Sequence, residues 1–417
     1  MPKICNDILS DSFESYRKKF NKKYRFKSIR EKCHFRNKKP ADSLDLSFNL
    51  GSVDRLDLVG CQGVSGHSGS IYNSGNIFSV FHNENNQSEV AYMLNEKRRR
   101  WRVHPDNFQI RSGYISPRYR DESVMAKTVT LLLGDNFYSD GLGYKKWFTT
   151  FNPGQSKHFA FNFSRLPYGR SFAILGNHDW GLWGRGGSHD LKYKLKLAHN
   201  QVDVCYSNEK QTIDWNMPYR YYHFTTGFAD YYCIDSTSFP DDEKQQEWLK
   251  AVFCRKDKDG NKWQILVSHH PLVSLGKRNL RNPKSLGDRY KYTKYFTPTV
   301  SKSGVEGPHN KYLYALLESY SFDIILSAHD HFLAGYYLTN GAFQVISGGG
   351  GAKLEKIEWD HTRKLYSSLK FPVLIKEPEI YQSQHGYITM YVYSNKIDLH
   401  YYWLYNGYKK VSVRKQR

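Results

Sequence analysis

The stretch TVTLLLGDNFY, residues 128–138, decides the fold and also points to the chemistry. Its first six residues are all apolar or β-branched, which predicts a strand that is covered on both faces. The run stops at Gly134, and Asp135 follows it directly. Ligands of open α/β folds gather beyond the carboxyl ends of the strands, so Asp135 occupies a position where a site is expected.

Four further runs have the same form, a short β-rich segment that stops at a small residue. They are RLDLVG at 55–60, SFAILG at 171–176, WQILVS at 263–268 and FDIILSA at 322–328. Between them, polar segments with apolar residues at helical spacing predict helices at 241–253 and 309–320, the first with an Asp at its N-cap. Strands that alternate with helices favour a layered α/β fold.

The organisation along the chain changes at two places. After residue 342 the pattern becomes all β, with a hairpin around Ser394-Asn395. Residues 1–53 are interpreted as a basic N-terminal extension, and residues 54–417 as one α/β sandwich domain with mixed sheets. Within that domain, residues 64–125 are rich in Ser, Asn and Arg and are expected to form a long insertion between the first two strands.

The charge is strongly positive and uneven, with 61 Lys and Arg against 40 Asp and Glu and a net charge of +21. Residues 17–39 hold twelve basic residues and one acid, and basic clusters also occur at 97–102 and 409–417. Such clusters suit an anionic membrane surface, a nucleic acid or a phosphorylated substrate. A solubilising arm is the alternative interpretation for 17–39, and the sequence leaves both open.

Several classes of protein are disfavoured. No run reaches the roughly 18–20 apolar residues of a membrane helix, so no transmembrane segment is expected. The opening residues lack the apolar core of a secretory signal, which favours a cytoplasmic location or export without a cleaved signal peptide. The six cysteines are scattered without a CxxC pair, which predicts reduced thiols and excludes a zinc ribbon.

The strand ends carry the residues with chemistry. Four of them read GDNFY at 134–138, GNHDW at 176–180, SHHP at 268–271 and SAHDHF at 327–332. Carboxylate, amide and imidazole donors together suit manganese, iron or zinc, whereas calcium prefers oxygen alone. Two metals about 3.5–4 Å apart need a shared carboxylate, and Asp135 is the natural bridge.

The order and wording of these motifs resemble the calcineurin-like metallophosphoesterases and, within them, the purple acid phosphatases of the tartrate-resistant type. GDNFY, GNHD, HHP, HDH and the glycine-rich ISGGGG carry the resemblance, which covers roughly residues 55–417. It implies a four-layer α/β/β/α sandwich with mixed sheets. It also implies a metal-dependent phosphoric ester hydrolase, an acid-phosphatase-like phosphomonoesterase in which a metal-bound hydroxide attacks phosphorus. The substrate would be a phosphorylated small molecule or a phosphoprotein.

The resemblance implies a role for each motif residue. Asp135 would bridge two divalent or trivalent metal ions, iron with iron, zinc or manganese, unless the site holds one metal only. Tyr138 and His331 would belong to the first metal, where a phenolate on ferric iron gives colour. The ligands implied for the second metal are Asn177, His269 and His329.

Two neighbouring residues are given supporting roles by the same resemblance. His178 would lie in the outer shell and protonate or stabilise the leaving group, with Asp179 as its orienting partner.

The GGGG run at 348–351 lacks the Lys-Ser/Thr of a phosphate loop, so we interpret it as a turn that lets the backbone approach the site. Asp235 is expected to brace a turn.

The sequence departs from the family at the first motif, because Cys61 in GCQG at 60–63 replaces the Asp of GDWG. Cys61 could itself be a thiolate ligand, which suits zinc or ferrous iron. Alternatively the first metal is weak or absent, and the chain is a one-metal or degenerate enzyme, or a pseudophosphatase used as a binding scaffold. In the third reading His67 or Asp57 substitutes, although Asp57 lies about 13 Å back along the strand. The positive charge adds a phosphodiesterase or nuclease as a rival enzyme class.

Overall fold

Two mixed β-sheets organise the part of the chain that the computed structural model describes. That part comprises residues 47–51, 53–62, 90, 93–94, 128–137, 141, 170–180, 191–205, 214–239, 242–255, 259–276, 299–301, 304–306, 316–317, 319–357, 359–360 and 375–415. The basic arm at 17–39, most of the 64–125 insertion, His67 and Tyr138 lie outside it.

The strands are short, as is usual for a layered α/β domain. In chain order they are β1 Ser47–Asn49, β2 Arg55–Val59, β3 Thr128–Leu132, β4 Arg170–Ala173, β5 Asp214–Asn216, β6 Tyr222–Thr225, β7 Ala229–Cys233, β8 Trp263–Val267, β9 Thr299–Ser301, β10 Gly304–Glu306, β11 Ile324–Ser327, β12 Leu333–Tyr337, β13 Phe343–Ser347, β14 Ile380–Gln382, β15 Gly386–Val392, β16 Lys396–Trp403 and β17 Gly407–Arg414. The helices are α1 Leu191–Cys205, α2 Glu243–Phe253 and a 3₁₀ turn at His178–Trp180.

One sheet has seven strands in the order β17-β16-β15-β2-β3-β4-β5, and the other has eight in the order β1-β6-β7-β8-β11-β13-β12-β14. Each sheet contains four neighbouring parallel strands, which are β2 to β5 in the first and β7, β8, β11 and β13 in the second. The outer antiparallel strands make both sheets mixed. The predicted α/β sandwich with mixed sheets is therefore confirmed.

All five predicted strand runs form central parallel strands. Every residue of β2, β3, β8 and β11 is buried, which is why these runs are mostly apolar or β-branched. The buried charges in β2, Arg55 and Asp57, pair with each other. Because parallel neighbours in one sheet end at the same edge, β2, β3 and β4 deliver their following turns side by side. β8 and β11 do the same in the other sheet.

The two sheets are joined by hydrogen bonds at the edge where these strands end. The backbone N–H of Gly60 donates to the carbonyl of Ser347 at 2.9 Å, and the Ser347 hydroxyl donates to the carbonyl of Leu58 at 2.8 Å. These bonds tie the end of β2 to the end of β13. The turns of both sheets are thereby brought into one region.

Helix α2 forms as the sequence predicts. Asp242 caps it, accepting a hydrogen bond from the backbone N–H of Gln245 at 3.2 Å, and one face with Trp248 and Phe253 is buried. Of the predicted helix at 309–320, only residues 316–317 and 319–320 are described. Among the described residues, no helix is both long and apolar enough to cross a bilayer.

Four features were not expected from the sequence. Helix α1 was not predicted, and the C-terminal basic cluster forms β17, which pairs with β16 along its whole length. β1 lies inside the stretch 1–53 and pairs with β6, so the eight-stranded sheet reaches back before residue 54. The expectation of reduced thiols throughout is wrong at Cys254, which forms a disulfide.

Candidate metal centre

The turns that follow the central strands are hydrogen-bonded to one another. The backbone N–H of Cys61 donates to the carbonyl of Gly134 at 3.2 Å, which joins the turn after β2 to the turn after β3. The N–H of Ala328 donates to the carbonyl of His269 at 2.9 Å, which joins the turns after β11 and β8. The positions of the side chains on these turns are thus fixed by backbone contacts.

Three residues at these strand ends have an unusual backbone conformation. Cys61, Asp135 and His329 have φ of 51°, 54° and 62°, in the left-handed region that non-glycine residues rarely occupy. Such strain clusters at functional sites, where the surrounding structure enforces it. Here it directs three donor side chains into the region where the turns meet.

One group of donors consists of Cys61, Asp135 and His331. All three side chains are buried, and their ligand atoms lie within 4.8 Å of one another. The Nδ1 atom of His331 lies 2.6 Å from the carbonyl oxygen of Lys353. If Nδ1–H donates to that carbonyl, the Nε2 atom of His331 is the one that can bind a metal.

A second group of donors is centred on His269. Its Nε2 atom lies 3.3 Å from Asp135 Oδ1 and 3.2 Å from Asn177 Oδ1, while Nδ1 lies 2.7 Å from the carbonyl of Leu133. The ring of His329 lies 5.2 Å from that of His269. Asp135 therefore contacts the second group and belongs to the first.

These residues fit a metal centre of two positions. His269 and His331 each use one ring nitrogen on a backbone carbonyl, the arrangement that orients metal-binding imidazoles. The donors combine carboxylate, amide, imidazole and thiol, which suits first-row transition metals. Of the predicted ligands, the structure brings together Asp135, Asn177, His269, His329 and His331, and Tyr138 lies outside the described residues.

His178 lies next to these donors. Its backbone N–H donates to Asp135 Oδ1 at 2.9 Å, and its side chain is almost fully buried. This hydrogen bond fixes the start of the 3₁₀ turn against the carboxylate. The outer-shell role that the family resemblance implies for the His178 imidazole remains a prediction.

Asp179 links the GDNFY turn to the GNHDW turn. Its fully buried carboxylate accepts hydrogen bonds from the backbone N–H groups of Gly176, Asn136 and Phe137 at 2.8–3.0 Å, and from the Gln201 side chain at 2.8 Å. These bonds connect the GDNFY turn to the GNHDW turn. The contribution of Gln201 explains why α1, which the sequence did not predict, matters to the site.

The groups around Asp135 favour the ionised form of its carboxylate. Burial alone would raise the pKa of Asp135, but the neighbouring His269 and His178 lower it well below its usual range. Burial would lower the pKa of His269, and the Asp135 carboxylate raises it above the ordinary value. Burial and the charge of Asp135 raise the pKa of Asp179 to about 7. Asp135 is therefore the carboxylate that carries negative charge into the centre.

His270 is a residue whose position the sequence did not predict. Its ring centroid lies 4.3 Å from that of His329 and 5.0 Å from that of His269, and the ligand atoms of the three histidines lie within 4.8 Å of one another. The Nδ1 atom of His270 lies 3.0 Å from the hydroxyl of Ser236. The sequence signal that could have indicated His270 is its place as the second histidine of the SHHP motif.

Asp57 does not compensate for the missing acid of the first motif. Its buried carboxylate pairs with Arg55 at 3.3 Å and accepts a hydrogen bond from the Thr389 hydroxyl at 2.6 Å. These contacts hold β2 and β15 together within the sheet. His67, the other proposed substitute, lies outside the described residues.

Asp235 braces its own turn after β7, as the sequence predicts, by accepting a hydrogen bond from the Ser238 hydroxyl at 3.0 Å, and it also supports the GNHDW turn. It is fully buried, pairs with Arg220 at 3.0 Å and accepts a hydrogen bond from the indole N–H of Trp180 at 3.2 Å. The guanidinium of Arg220 also lies over the Trp180 ring, with 5.4 Å between its carbon and the ring centroid. The buried ion pair thus supports the element that carries His178.

The glycines after β13 have the predicted effect of allowing close backbone approach. A Cβ atom on Gly348 would overlap the carbonyl of Asp330, and one on Gly350 would overlap the carbonyl of Gly60. The glycine run therefore packs directly against the turns after β11 and β2. It is a packing element of the site, as expected for a turn without the features of a phosphate loop.

Comparison with solved structures finds similar folds at low sequence identity. A purple acid phosphatase, PPD1, from yellow lupin (Lupinus luteus) has a TM-score of 0.50 at 14% identity, over 87% of this chain and 54% of that chain. This chain thus matches about half the length of the lupin structure. GAP50, described as the anchor in the inner membrane complex of Plasmodium, has a TM-score of 0.48 at 16% identity, over 87% of this chain and 90% of that chain.

Comparison of the sequence with family models assigns the chain more directly. No curated protein matches it at a significant level. The model of the calcineurin-like phosphoesterases matches residues 115–333, more than half of the chain and all four intact motifs, while Cys61 lies before the matched range. The metallophosphoesterase sandwich predicted from the motifs is likewise confirmed by the two mixed sheets and the similarity to the lupin fold. The chain therefore belongs to the calcineurin-like phosphoesterase family.

Proposed function

We propose that the chain is a metal-dependent phosphoric ester hydrolase that acts as a phosphomonoesterase on a phosphorylated small molecule or phosphoprotein. The observation that carries this proposal is the position of Asp135. It belongs to the group with Cys61 and His331, and its Oδ1 atom lies 3.3 Å from His269 Nε2 in the second group. A carboxylate shared in this way is what a dinuclear hydrolase requires.

The residues that would hold metals follow from these contacts and from the family resemblance. Asp135 would be shared, with His331 and Tyr138 on one side. Asn177, His269 and His329 would complete the other side. When bound, such metals lower the pKa of coordinated water and neutralise phosphoryl oxygens.

The chain's own groups supply the rest of the chemistry. His178 follows Asn177 directly and is anchored to Asp135 by its backbone N–H, so its imidazole would be held near the leaving-group oxygen and could donate a proton to it. The Asp179 network keeps the two turns in fixed register, which limits the reorganisation needed during reaction. The net charge of +21 favours the approach of anionic substrates.

Metal analysis and hydrolysis assays on the full chain test the proposal. Protein purified without chelator should contain two metals per chain and hydrolyse a generic aryl phosphate. Asp135→Asn and His269→Ala should each abolish turnover and lower the metal content with little change in fold. If both variants keep full activity, the site is misassigned.

A matched control is available in the second sheet. His223 and Asp230 form another buried imidazole–carboxylate pair, at 3.4 Å on β6 and β7. Asp230→Asn should therefore retain two metals and full turnover.

Diester cleavage together with salt-sensitive nucleic-acid binding would instead identify a nuclease. Absence of both metal and turnover in the unaltered chain would leave only a binding scaffold.

A further inference from the structure

We propose that Cys61 is a thiolate ligand at the first metal position, and that this position takes a thiophilic divalent ion such as zinc in place of ferric iron. The inference rests on the proposed function, because it assumes that a metal centre forms. It concerns the one motif in which this chain differs from the family. It would change the metal preference of the site and abolish the expected colour.

The first argument is where the thiol lies. Cys61 is fully buried, and its sulfur lies within 4.8 Å of a carboxylate oxygen of Asp135 and a ring nitrogen of His331. Thiolate, carboxylate and imidazole are three of the donors that zinc uses in proteins. Cys61 also belongs to the apolar core, so it is the distance to Asp135 and His331, and not its burial, that marks it as a candidate ligand.

The second argument is how the thiol is held there. The Cys61 N–H donates to Gly134 at 3.2 Å, and its carbonyl accepts a hydrogen bond from the Ala352 N–H at 3.0 Å. Both neighbours belong to other turns of the centre. The position of the sulfur is thus fixed by backbone contacts on both sides of the residue.

The third argument is the backbone strain at this residue. Cys61 has a φ of 51°, within 3° of the φ of Asp135 at 54°. Left-handed conformations are tolerated by Gly, Asn and Asp but are unfavourable for most other side chains. Position 61 therefore has the same left-handed backbone as the predicted ligand Asp135, although cysteine does not favour this conformation. Use of the sulfur as a ligand explains why the conformation is present.

Metal preference follows from the chemistry of the donor. Thiolates are soft ligands that bind zinc and ferrous iron well. Ferric iron is a hard ion, and thiolates tend to reduce it. Coordination of Cys61 would deprotonate the thiol, so that one anionic donor replaces another where the family has a carboxylate. The centre would then hold two divalent ions and lack the visible band of ferric tyrosinate.

Cobalt substitution tests the proposal without relying on activity. The full chain, stripped of metal and kept under nitrogen without added reductant so that the Cys254 disulfide stays intact, is titrated with Co²⁺ alone. Co²⁺ bound to a thiolate gives a sulfur-to-cobalt absorption in the near ultraviolet that oxygen and nitrogen donors do not give. We expect this band in the unaltered protein. We expect its loss in Cys61→Ser, with Zn²⁺ affinity at one position reduced more than the about 10- to 100-fold that outer-shell changes cost.

Two variants complete the design. Cys233 is also a fully buried thiol outside any disulfide, at the end of β7, and Cys233→Ser should retain the band. Cys61→Asp restores the family's acid and should bind two metals without the band, which covers the case in which Cys61→Ser does not fold. Two bound Co²⁺ ions without the band, or a band that persists in Cys61→Ser, would overturn the inference alone. A Cys61-dependent band in a protein without phosphoesterase activity would overturn only the proposed function.

Discussion

Gly134→Ala is the substitution that tests the geometry of the centre most directly. A Cβ atom on Gly134 would lie 2.6 Å from Nδ1 of His269 and 2.8 Å from the backbone nitrogen of Gly176. Ordinary van der Waals contact begins at 3.4 Å, so the His269 ring would have to move by about 0.8 Å. The hydrogen bond from His269 to Leu133, 2.7 Å long, could not survive that shift unchanged.

The expected effect on catalysis is large. A displacement near 1 Å at the reacting centre can cost about 100-fold in rate. Because His269 Nε2 contacts both Asn177 and Asp135, the displacement would also weaken metal binding. We therefore expect kcat/KM on an aryl phosphate to fall by about 100-fold and the metal content to fall with it.

Backbone strain must be separated from the steric clash, because Gly134 has a φ of +86°. Gly51 is the matched control, since its φ is +65° and an added Cβ would meet nothing within 4 Å. Both alanine variants should lose about 1 kcal/mol of stability from the left-handed conformation. Only Gly134→Ala should also lose activity and about 1–3 kcal/mol from overpacking.

The measurements are metal content, steady-state kinetics and denaturant unfolding on the two variants in parallel. Equal activity in Gly134→Ala and Gly51→Ala would contradict the packing of His269 against the turn after β3. Equal loss of activity in both would show that backbone strain, and not displacement of the ligand, is responsible.

Two further predictions concern stability. Arg220→Met leaves Asp235 buried without its cation, so the free energy of unfolding should fall by about 3–5 kcal/mol. Urea titrations measure this change, and a smaller loss would show that the ion pair is not essential. Burial alone would raise the pKa of Asp398, but hydrogen bonds from Ser412 and two lysines lower it to about 2. Its contribution to stability is therefore present above pH 3.8 and lost as the pH falls through about 2, and Asp398→Asn should flatten acid unfolding in that window.

The strands whose ends form the site could be predicted from the sequence because their apolar composition indicates that they are buried. β3 and β11 consist almost entirely of buried apolar and β-branched residues, and the polar residues that follow them are the donors. β17 was missed because its buried residues, Val411 and Val413, alternate with exposed basic ones in a cluster that resembles a solvated tail. Only pairing with β16 gives that segment a face to bury.

Other features could not be predicted because they depend on contacts between distant segments. The disulfide of Cys254 depends on the distance between two Cα atoms, which spacing along the chain does not give. Gln201 reaches Asp179 from a helix that was not predicted, and His270 joins the donors only because β8 and β11 are neighbours. The motifs indicated which residues converge, and the topology supplies the partners that position them.

The local backbone of the centre also bears on whether the site is a relic. Cys61, Asp135 and His329 each hold a left-handed conformation. Asp and His adopt it more readily than most residues, so the strain, of order 1–3 kcal/mol, falls mainly on Cys61. Glycine at any of them would relieve the strain and preserve the turn. A pure scaffold would gain stability from that relief, whereas a metal centre needs the side chains at these positions. The strained backbone, together with the convergence of the donors on Asp135, therefore favours a working centre in which the cysteine serves as a ligand over a site that has lost its acid.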